Sequence, residues 1–158
     1  MSGIKVEIVE FPETHVAALR HHGPAYLVKN TLQKFIEWRV ENKIGPDEGK
    51  TLALHYKDPK KLKSPQDFIM DISVSVDSPI AENKWGLRNM TLPGGLCPKT
   101  SHKGQREDIP EADYLANEWL KKSKYILRND CPFIFHYLNI GPMEPGVPLY
   151  TDLYLPIK

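Results

Sequence analysis

The sequence predicts an α+β fold of two tandem β-β-α-β-β repeats with pseudo-twofold symmetry, each with an antiparallel sheet and one long helix. Three observations support this fold class. Several short segments alternate apolar and polar residues, which is typical of half-buried strands. Two longer stretches carry apolar residues at helical spacing. When the chain is aligned with itself so that Trp38 meets Trp119, identical residues come together at matching points of the same order of elements.

The first repeat is predicted over residues 4–76. Its helix follows Gly23-Pro24, because proline suits the first helical turn, and ends at Gly45-Pro46. The predicted apolar stripe of this helix is Val28, Leu32, Phe35, Ile36 and Val40. Alternation predicts strands over residues 4–10, 14–21, 51–57 and 67–76, with a turn at Asp58-Pro59 after the third.

The second repeat is predicted over residues 85–157, after a linker at residues 77–84. Its helix begins at Asp108 and Pro110. The predicted stripe of this helix is Ala112, Leu115, Ala116, Trp119 and Leu120. Strands are expected at residues 85–92, 94–102, 133–138 and 149–157, with turns at Gly141-Pro142 and Pro145-Gly146.

This gapless alignment of the chain with itself places identical residues at equivalent elements of the two repeats. The pairs are Pro12/Pro93, His21/His102, Gly23/Gly104, Glu37/Glu118, Trp38/Trp119, His55/His136, Tyr56/Tyr137 and Asp71/Asp152. Two such halves are expected to join their sheets edge to edge, because this removes an exposed edge strand from each. The joint would leave a groove at the axis, where small ligands usually bind.

Composition limits the classes of function. An apolar fraction of 41% and a charged fraction of 26% are typical of a globular protein. A net charge of +1 argues against direct nucleic-acid binding. No apolar run suggests a signal peptide or a membrane span, so a cytoplasmic location is expected. The isolated Cys97 and Cys131 predict neither a disulfide framework nor a metal site, and no cofactor motif is present.

Strand parity selects candidate residues on the last strand. Tyr150, Asp152 and Tyr154 alternate, so their side chains are expected on one face. There they either hold a flat ligand or cover the sheet towards solvent. Asp71 matches Asp152 in the first repeat and is either a ligand contact or a solvated carboxylate.

Four aromatic residues complete the candidate set. Trp38 and Trp119 occupy matching helix positions, where they either pack in the core or wall the groove from both sides. Tyr56 and Tyr137 occupy matching strand positions and are candidates for lining the groove. No catalytic residue is assigned, because no nucleophile elbow, phosphate loop or metal-binding spacing is present.

Several stretches occur in an order that carries a family resemblance. They are Gly23-Pro24, residues 35–38 and 42–46, Leu54-His55-Tyr56-Lys57-Asp58-Pro59, Met70-Asp71-Ile72, Gly94-Gly95, Tyr137-Leu138-Asn139 and residues 153–157. Together they resemble the GyrI-like small-molecule-binding family. That family includes the DNA gyrase inhibitor protein of enteric bacteria and the effector-binding domains of AraC-type and MerR-type multidrug regulators.

The resemblance implies one domain over residues 1–158, a bacterial protein, and a small hydrophobic or aromatic ligand. Family members that bind cationic drugs bury a glutamate at the position of Phe135 and often carry a glutamate at that of Asp152. These departures favour a neutral or weakly basic aromatic ligand. The hypothesis is one cavity lined by Trp119, Phe135, Tyr137, Tyr150 and Asp152, with an opposite wall of Trp38, Tyr56 and Asp71.

The expected function is a stand-alone binding protein that sequesters drugs or toxins. The strand pattern from Ile4 onwards leaves no helix-turn-helix in front of the domain. The resemblance implies two alternatives. One is a hydrolase of reactive drug-like natural products, with Asp152 as base and Tyr150 or Tyr137 as partner. The other is a protein inhibitor that contacts gyrase.

Overall fold

The computed structural model describes residues 3–58, 61–140 and 145–158, which contain eight strands and two long helices. The strands are β1 Glu7–Phe11, β2 Thr14–His22, β3 Thr51–His55, β4 Ile69–Ser75, β5 Arg88–Leu92, β6 Gly95–Lys103, β7 Phe133–Tyr137 and β8 Tyr150–Tyr154. Helix α1 is Val28–Glu41. Helix α2 joins α-helical turns at Pro110–Asp113 and Leu120–Lys122 through a π-helical segment, Tyr114–Trp119.

Every predicted strand and helix is found, and the differences lie at their ends. The strand predicted from Trp85 begins only at Arg88, after Gly86 at φ 90°. The last strand ends at Tyr154, although the N–H groups of Leu155 and Ile157 still donate to the carbonyls of Pro98 and Leu96 in β6. The predicted turns at Asp58-Pro59 and Gly141-Pro142 include Pro59, Gly141 and Pro142, which lie outside the described residues.

The strands form one antiparallel sheet in the order β1-β6-β8-β7-β3-β4-β2-β5, which confirms the α+β class. The central pair is β3 and β7, with Ala53 opposite Phe135. The first two strands of each predicted repeat are not neighbours. Instead β1 pairs with β6, and β5 pairs with β2.

The sheet has two faces with separate apolar clusters. The helix face, which α1 and α2 cover, carries Ala17, Ala53, Ile72, Phe135 and Leu153, together with Phe35, Trp38 and Leu115 of the helices. The far face carries Phe11, Val16, Leu52, Leu54, Leu92 and Ile134. Because side chains alternate along a strand, each strand residue is assigned to one face by its parity.

The apolar stripe predicted for α1 is correct only in part. Ile36 and Val40 are 51% and 72% exposed, whereas Trp38 and Arg39 are buried beside Phe35. Positions 35, 38 and 39 follow the three- and four-residue spacing of one helix face. Arg39 belongs to that face because its guanidinium has buried polar partners there.

Candidate functional site

A cleft at the end of α1 encloses about 740 Å³. Its walls are the last turn of α1, the loop at residues 44–49, and the segment that connects β4 to β5. The lining residues are Trp38, Glu41, Asn42, Ile44, Glu48, Gly49, Ser75, Val76, Asp77, Ser78, Pro79, Ile80, Ala81, Glu82, Asn83 and Trp85.

Two tryptophans supply the aromatic surface of the cleft. Trp38 is only 2% exposed and stacks on Phe35, with ring centroids 6.2 Å apart, so it forms the floor. Trp85 is half-buried and packs against the same apolar cluster. Val76 and Ile80 join this cluster from the connecting segment. The accessible aromatic surface of the cleft is therefore that of Trp85, over whose ring the Lys84 ammonium lies at 4.9 Å.

Four carboxylates line the same cleft: Glu41, Glu48, Asp77 and Glu82. No lysine, arginine or histidine is among the lining residues in the described part of the chain. A concave surface with charges of one sign concentrates counter-ions. Aromatic rings beside carboxylates are also the usual environment of an organic cation.

A buried arginine fixes one wall of the cleft. The Arg39 guanidinium donates to the carbonyl oxygens of Ile44 (3.4 Å), Gly45 (2.5 Å) and Glu48 (3.1 Å), and to Oγ1 of Thr51 (2.9 Å). Burial lowers the pKa of Arg39, and the Glu48 charge opposes that shift. The loop at residues 44–49 is therefore tied to α1 and β3 by one side chain.

Paired amide side chains fix the opposite wall. The Asn89 side chain accepts from the N–H of Ile80 (2.8 Å) and donates to its carbonyl (3.1 Å). Asn83 makes the same pair of bonds with the backbone of Leu87, each at 3.0 Å. These bonds hold the connecting segment against β5.

Three predicted site residues, Trp119, Phe135 and Tyr137, pack on the helix face away from the cleft. The Phe135 ring lies 4.4 Å from that of His55, and burial lowers the pKa of His55 to about 4. Trp119 stacks on Tyr125 at 6.3 Å. The Arg106 guanidinium lies 4.0 Å over the Tyr137 ring, and burial raises the pKa of Tyr137.

Two predicted residues, Tyr56 and Asp71, meet on the far face. Asp71 is fully buried and accepts hydrogen bonds from Arg20, Arg88 and the Tyr56 hydroxyl. Burial opposes ionisation of Asp71, but these bonds outweigh it and hold the pKa below its ordinary value. Burial and the bond to Asp71 raise the pKa of Tyr56 to about 12. Asp71 is thus not solvated, and its two oxygens are engaged by these three partners.

Tyr150 and Asp152 also lie on the far face, as strand parity predicted. Asp152 accepts from the Ser101 hydroxyl at 2.6 Å and lies 3.7 Å from the Lys99 ammonium. Tyr150 is 42% exposed.

The eight predicted residues do not line one cavity. Trp38, Trp119, Phe135 and Tyr137 lie on the helix face, and Tyr56, Asp71, Tyr150 and Asp152 lie on the far face. Of the eight, Trp38 alone lines the cleft in the described part of the chain. Contact of each residue with a ligand stays a prediction.

The sequence pattern did not point to Trp85 or to the four carboxylates of the cleft. Trp85 and the four carboxylates do not belong to a helical or alternating pattern of apolar residues, because they lie at a helix end and in connecting segments. A weak signal was available, since Glu41 follows Trp38 by three residues and Glu82 precedes Trp85 by three.

The comparisons with known proteins cover the whole of this fold. The family model for the GyrI-like small molecule binding domain matches residues 4–158. The chain belongs to this family.

One relative and one solved domain match this chain over almost their full lengths. "Probable transcriptional regulator YgiV" of Escherichia coli (strain K12) is 33% identical over 156 residues, which cover 98% of this chain and 96% of YgiV. The C-terminal domain of EcmrR superposes with a TM-score of 0.74 at 17% identity, covering 99% of each chain. In the EcmrR–DNA complex this chain spans 57% of the EcmrR chain.

A hydrolase from Listeria innocua shares the GyrI-like fold with a TM-score of 0.64 at 11% identity, over 98% of this chain and 92% of the hydrolase.

Within the described residues, no cluster of three or more histidine, cysteine or acidic side chains could hold a metal ion. Burial raises the pKa of Cys97 to about 12 and that of Cys131 to about 11. No helix of the described residues is long and apolar enough to cross a membrane.

Proposed function

We propose that this GyrI-like protein binds a small aromatic molecule with a positive charge in the cleft at the end of α1. The observation that carries the proposal is the combination of Trp38 and Trp85 with four carboxylates and no lining cation among the described residues. The family supports a small-molecule ligand. A volume of about 740 Å³ suits a drug-sized compound.

The proposed charge differs from the neutral ligand that the sequence favoured. That expectation rested on Phe135 and Asp152, and neither residue lines the cleft. The carboxylates of the cleft come from the helix end and the connecting segments. A cation there gains the attraction of the four carboxylates, and it would compete with the Lys84 ammonium, which lies 4.9 Å over the Trp85 ring.

Three cellular roles are compatible with ligand binding in this cleft: sequestration, effector sensing and hydrolysis. The chain matches nearly the whole of YgiV, whose name describes a transcriptional regulator. We favour sequestration of the ligand and keep effector sensing in transcription as the second candidate. The Listeria innocua hydrolase supports a third candidate, which loss of an intact ligand during incubation would reveal. A gyrase partner rests on family resemblance alone, and co-purification would test it.

A duplication is also part of the proposal, with repeats at residues 4–76 and 85–157. In its support, the first residues of β1, β2 and β4 match those of β5, β6 and β8 when Trp38 is aligned with Trp119. In the same alignment β7 begins one position later than β3. The equivalent strands of the two repeats are β1 and β5, β2 and β6, β3 and β7, and β4 and β8. When each strand is replaced by its equivalent, the sheet order becomes its own reverse.

Calorimetry with a matched pair of ligands tests the site. The pair is N-methyl-4-phenylpyridinium and neutral 4-phenylpyridine, at a pH where the pyridine nitrogen is unprotonated. We expect the cation to bind more tightly and Trp85→Ala to weaken it by about 1–2 kcal/mol, because ring contact and burial are lost. Glu82→Gln should weaken the cation alone.

Glu37→Gln is the matched control, because Glu37 lies on α1 outside the cleft and bonds only to Gln33 within the described residues. Equal affinity for both ligands would refute the charge preference. Binding that Trp85→Ala leaves unchanged would refute the location.

A further inference from the structure

Two arginines on the far face share one buried carboxylate. The Nε and Nη2 atoms of Arg20 lie 3.0 and 3.1 Å from the two oxygens of Asp71. Nη2 of Arg88 lies 2.8 Å from Oδ2, and the Tyr56 hydroxyl donates to the same oxygen at 2.5 Å. Asp71 is fully buried, so its side chain fixes the positions of all three partners.

The cluster keeps a positive charge. Two guanidinium groups face a single carboxylate, and no other carboxylate lies within salt-bridge distance of Arg20 or Arg88 among residues 3–58, 61–140 and 145–158. Asp152 on the same face is held by only the Ser101 hydroxyl and a lysine at 3.7 Å within those ranges. A second arginine is therefore more than the burial of Asp71 requires.

Both arginines remain open to solvent on the side away from Asp71. Their side chains are 45% and 41% exposed, and Tyr56 beside them is 37% exposed. Nη1 of Arg20 and both Nε and Nη1 of Arg88 have no hydrogen-bond partner in the described part of the chain. The Arg20 guanidinium also lies 5.0 Å over the Tyr56 ring, which further restricts it.

From this geometry we infer that Arg20 and Arg88 form a binding site for the oxyanion group of a small molecule, a carboxylate or a phosphate. Guanidinium groups suit this chemistry because their planar donors match carboxylate and phosphate oxygens in pairs. Asp71 is the positioning residue, since it orders both guanidiniums before the anion arrives. The site lies across the sheet from Trp38 and selects the opposite charge to the cleft.

Titration of the protein with benzoate and with inorganic phosphate tests the site, with benzamide as the neutral analogue of benzoate. Proton–nitrogen correlation spectra would follow the side-chain Nε–H signals of the arginines. We expect saturable shifts of the Arg20 and Arg88 signals with at least one anion and none with benzamide. The anion that saturates at lower concentration identifies the preferred group.

Arg88→Gln is the informative variant, because Asp71 keeps its bonds from Arg20 and Tyr56. It should weaken anion binding by about tenfold or more, since charged hydrogen bonds are lost. Arg128→Gln is the matched control, because Arg128 forms a one-to-one pair with Asp130. If Arg88→Gln fails to fold, Arg88→Lys replaces it and should still weaken binding, because the paired donors are lost.

Shifts that are absent, or that persist unchanged in Arg88→Gln, would overturn the inference and leave the cluster a purely structural ion-pair network. The cation probe of the cleft carries no oxyanion, so failure of either site leaves the result for the other intact.

Discussion

His55 and His136 lie on opposite faces of the sheet, and the pKa of each is lowered. The His55 ring lies on the helix face, 4.4 Å from Phe135, and its neutral form is favoured by burial. His136 lies on the far face between Lys50, Lys99 and Asp152, and burial is again the main cause of its lowered pKa. Both side chains therefore resist protonation in the folded protein.

His55→Phe should make stability less dependent on pH. Unfolded histidine takes a proton near pH ~6.5, whereas folded His55 does so only at about 4. Between these values the unfolded state binds more protons, so the free energy of unfolding falls as pH falls, by roughly 3 kcal/mol from this group. Phenylalanine keeps the ring packing and removes the titration.

Urea unfolding across this pH window measures the effect, with exposed His22→Gln as the control. Part of the dependence should persist in His55→Phe, because the pKa of His136 is lowered too. An unchanged pH slope in His55→Phe would contradict the burial of a neutral His55.

At the scale of elements, the cleft depends on a loop that only glycine can close. Gly49 has φ 68°, and a Cβ there would lie 2.7 Å from the Ser75 carbonyl oxygen. Its backbone approaches Ser75 closely, so the loop held by Arg39 packs against the end of β4.

Gly49→Ala should destabilise the protein by about 1–2 kcal/mol or more, because both the positive φ and the contact oppose a side chain. It should also weaken ligand binding in the cleft. Gly45→Ala is the matched control in the same loop, since a Cβ there makes an ordinary contact at 3.5 Å. Thermal unfolding and calorimetry of both variants measure the difference, and equal effects would argue against the close approach.

Sequence patterns predicted the elements well and the site poorly. Alternation located β4 because Met70, Ile72 and Val74 all face one apolar cluster. Alternation could not predict the strand partners of β1 or β5, because it fixes which face a side chain lies on and not which strand lies alongside. The eight candidate residues lie on two faces of the sheet for a related reason. The gapless alignment equates Tyr56 with Tyr137, but β7 begins one position later than β3 in that alignment, and such a slip moves a side chain to the other face.

At the scale of the whole molecule, charge is balanced globally and separated locally. The chain carries a net charge of +1, with four carboxylates at the cleft and the Arg20 and Arg88 guanidiniums on the far face. We expect no salt-sensitive binding to duplex DNA, because phosphate neutralisation requires a larger basic surface. Electrophoretic mobility shifts at increasing salt test this, and a shift that weakens steeply with salt would contradict it.

The outer strands pair across the two parts of the chain, residues 4–76 and 85–157. These two parts should therefore stay together without the backbone connection between them. A protease cut at residues 77–84 would leave fragments still joined by three antiparallel ladders, β1 with β6, β2 with β5, and β3 with β7. Neither fragment alone retains a complete set of neighbours for its strands. We therefore expect the two fragments to stay associated after such a cut, while a break beside Trp85 disturbs the cleft wall.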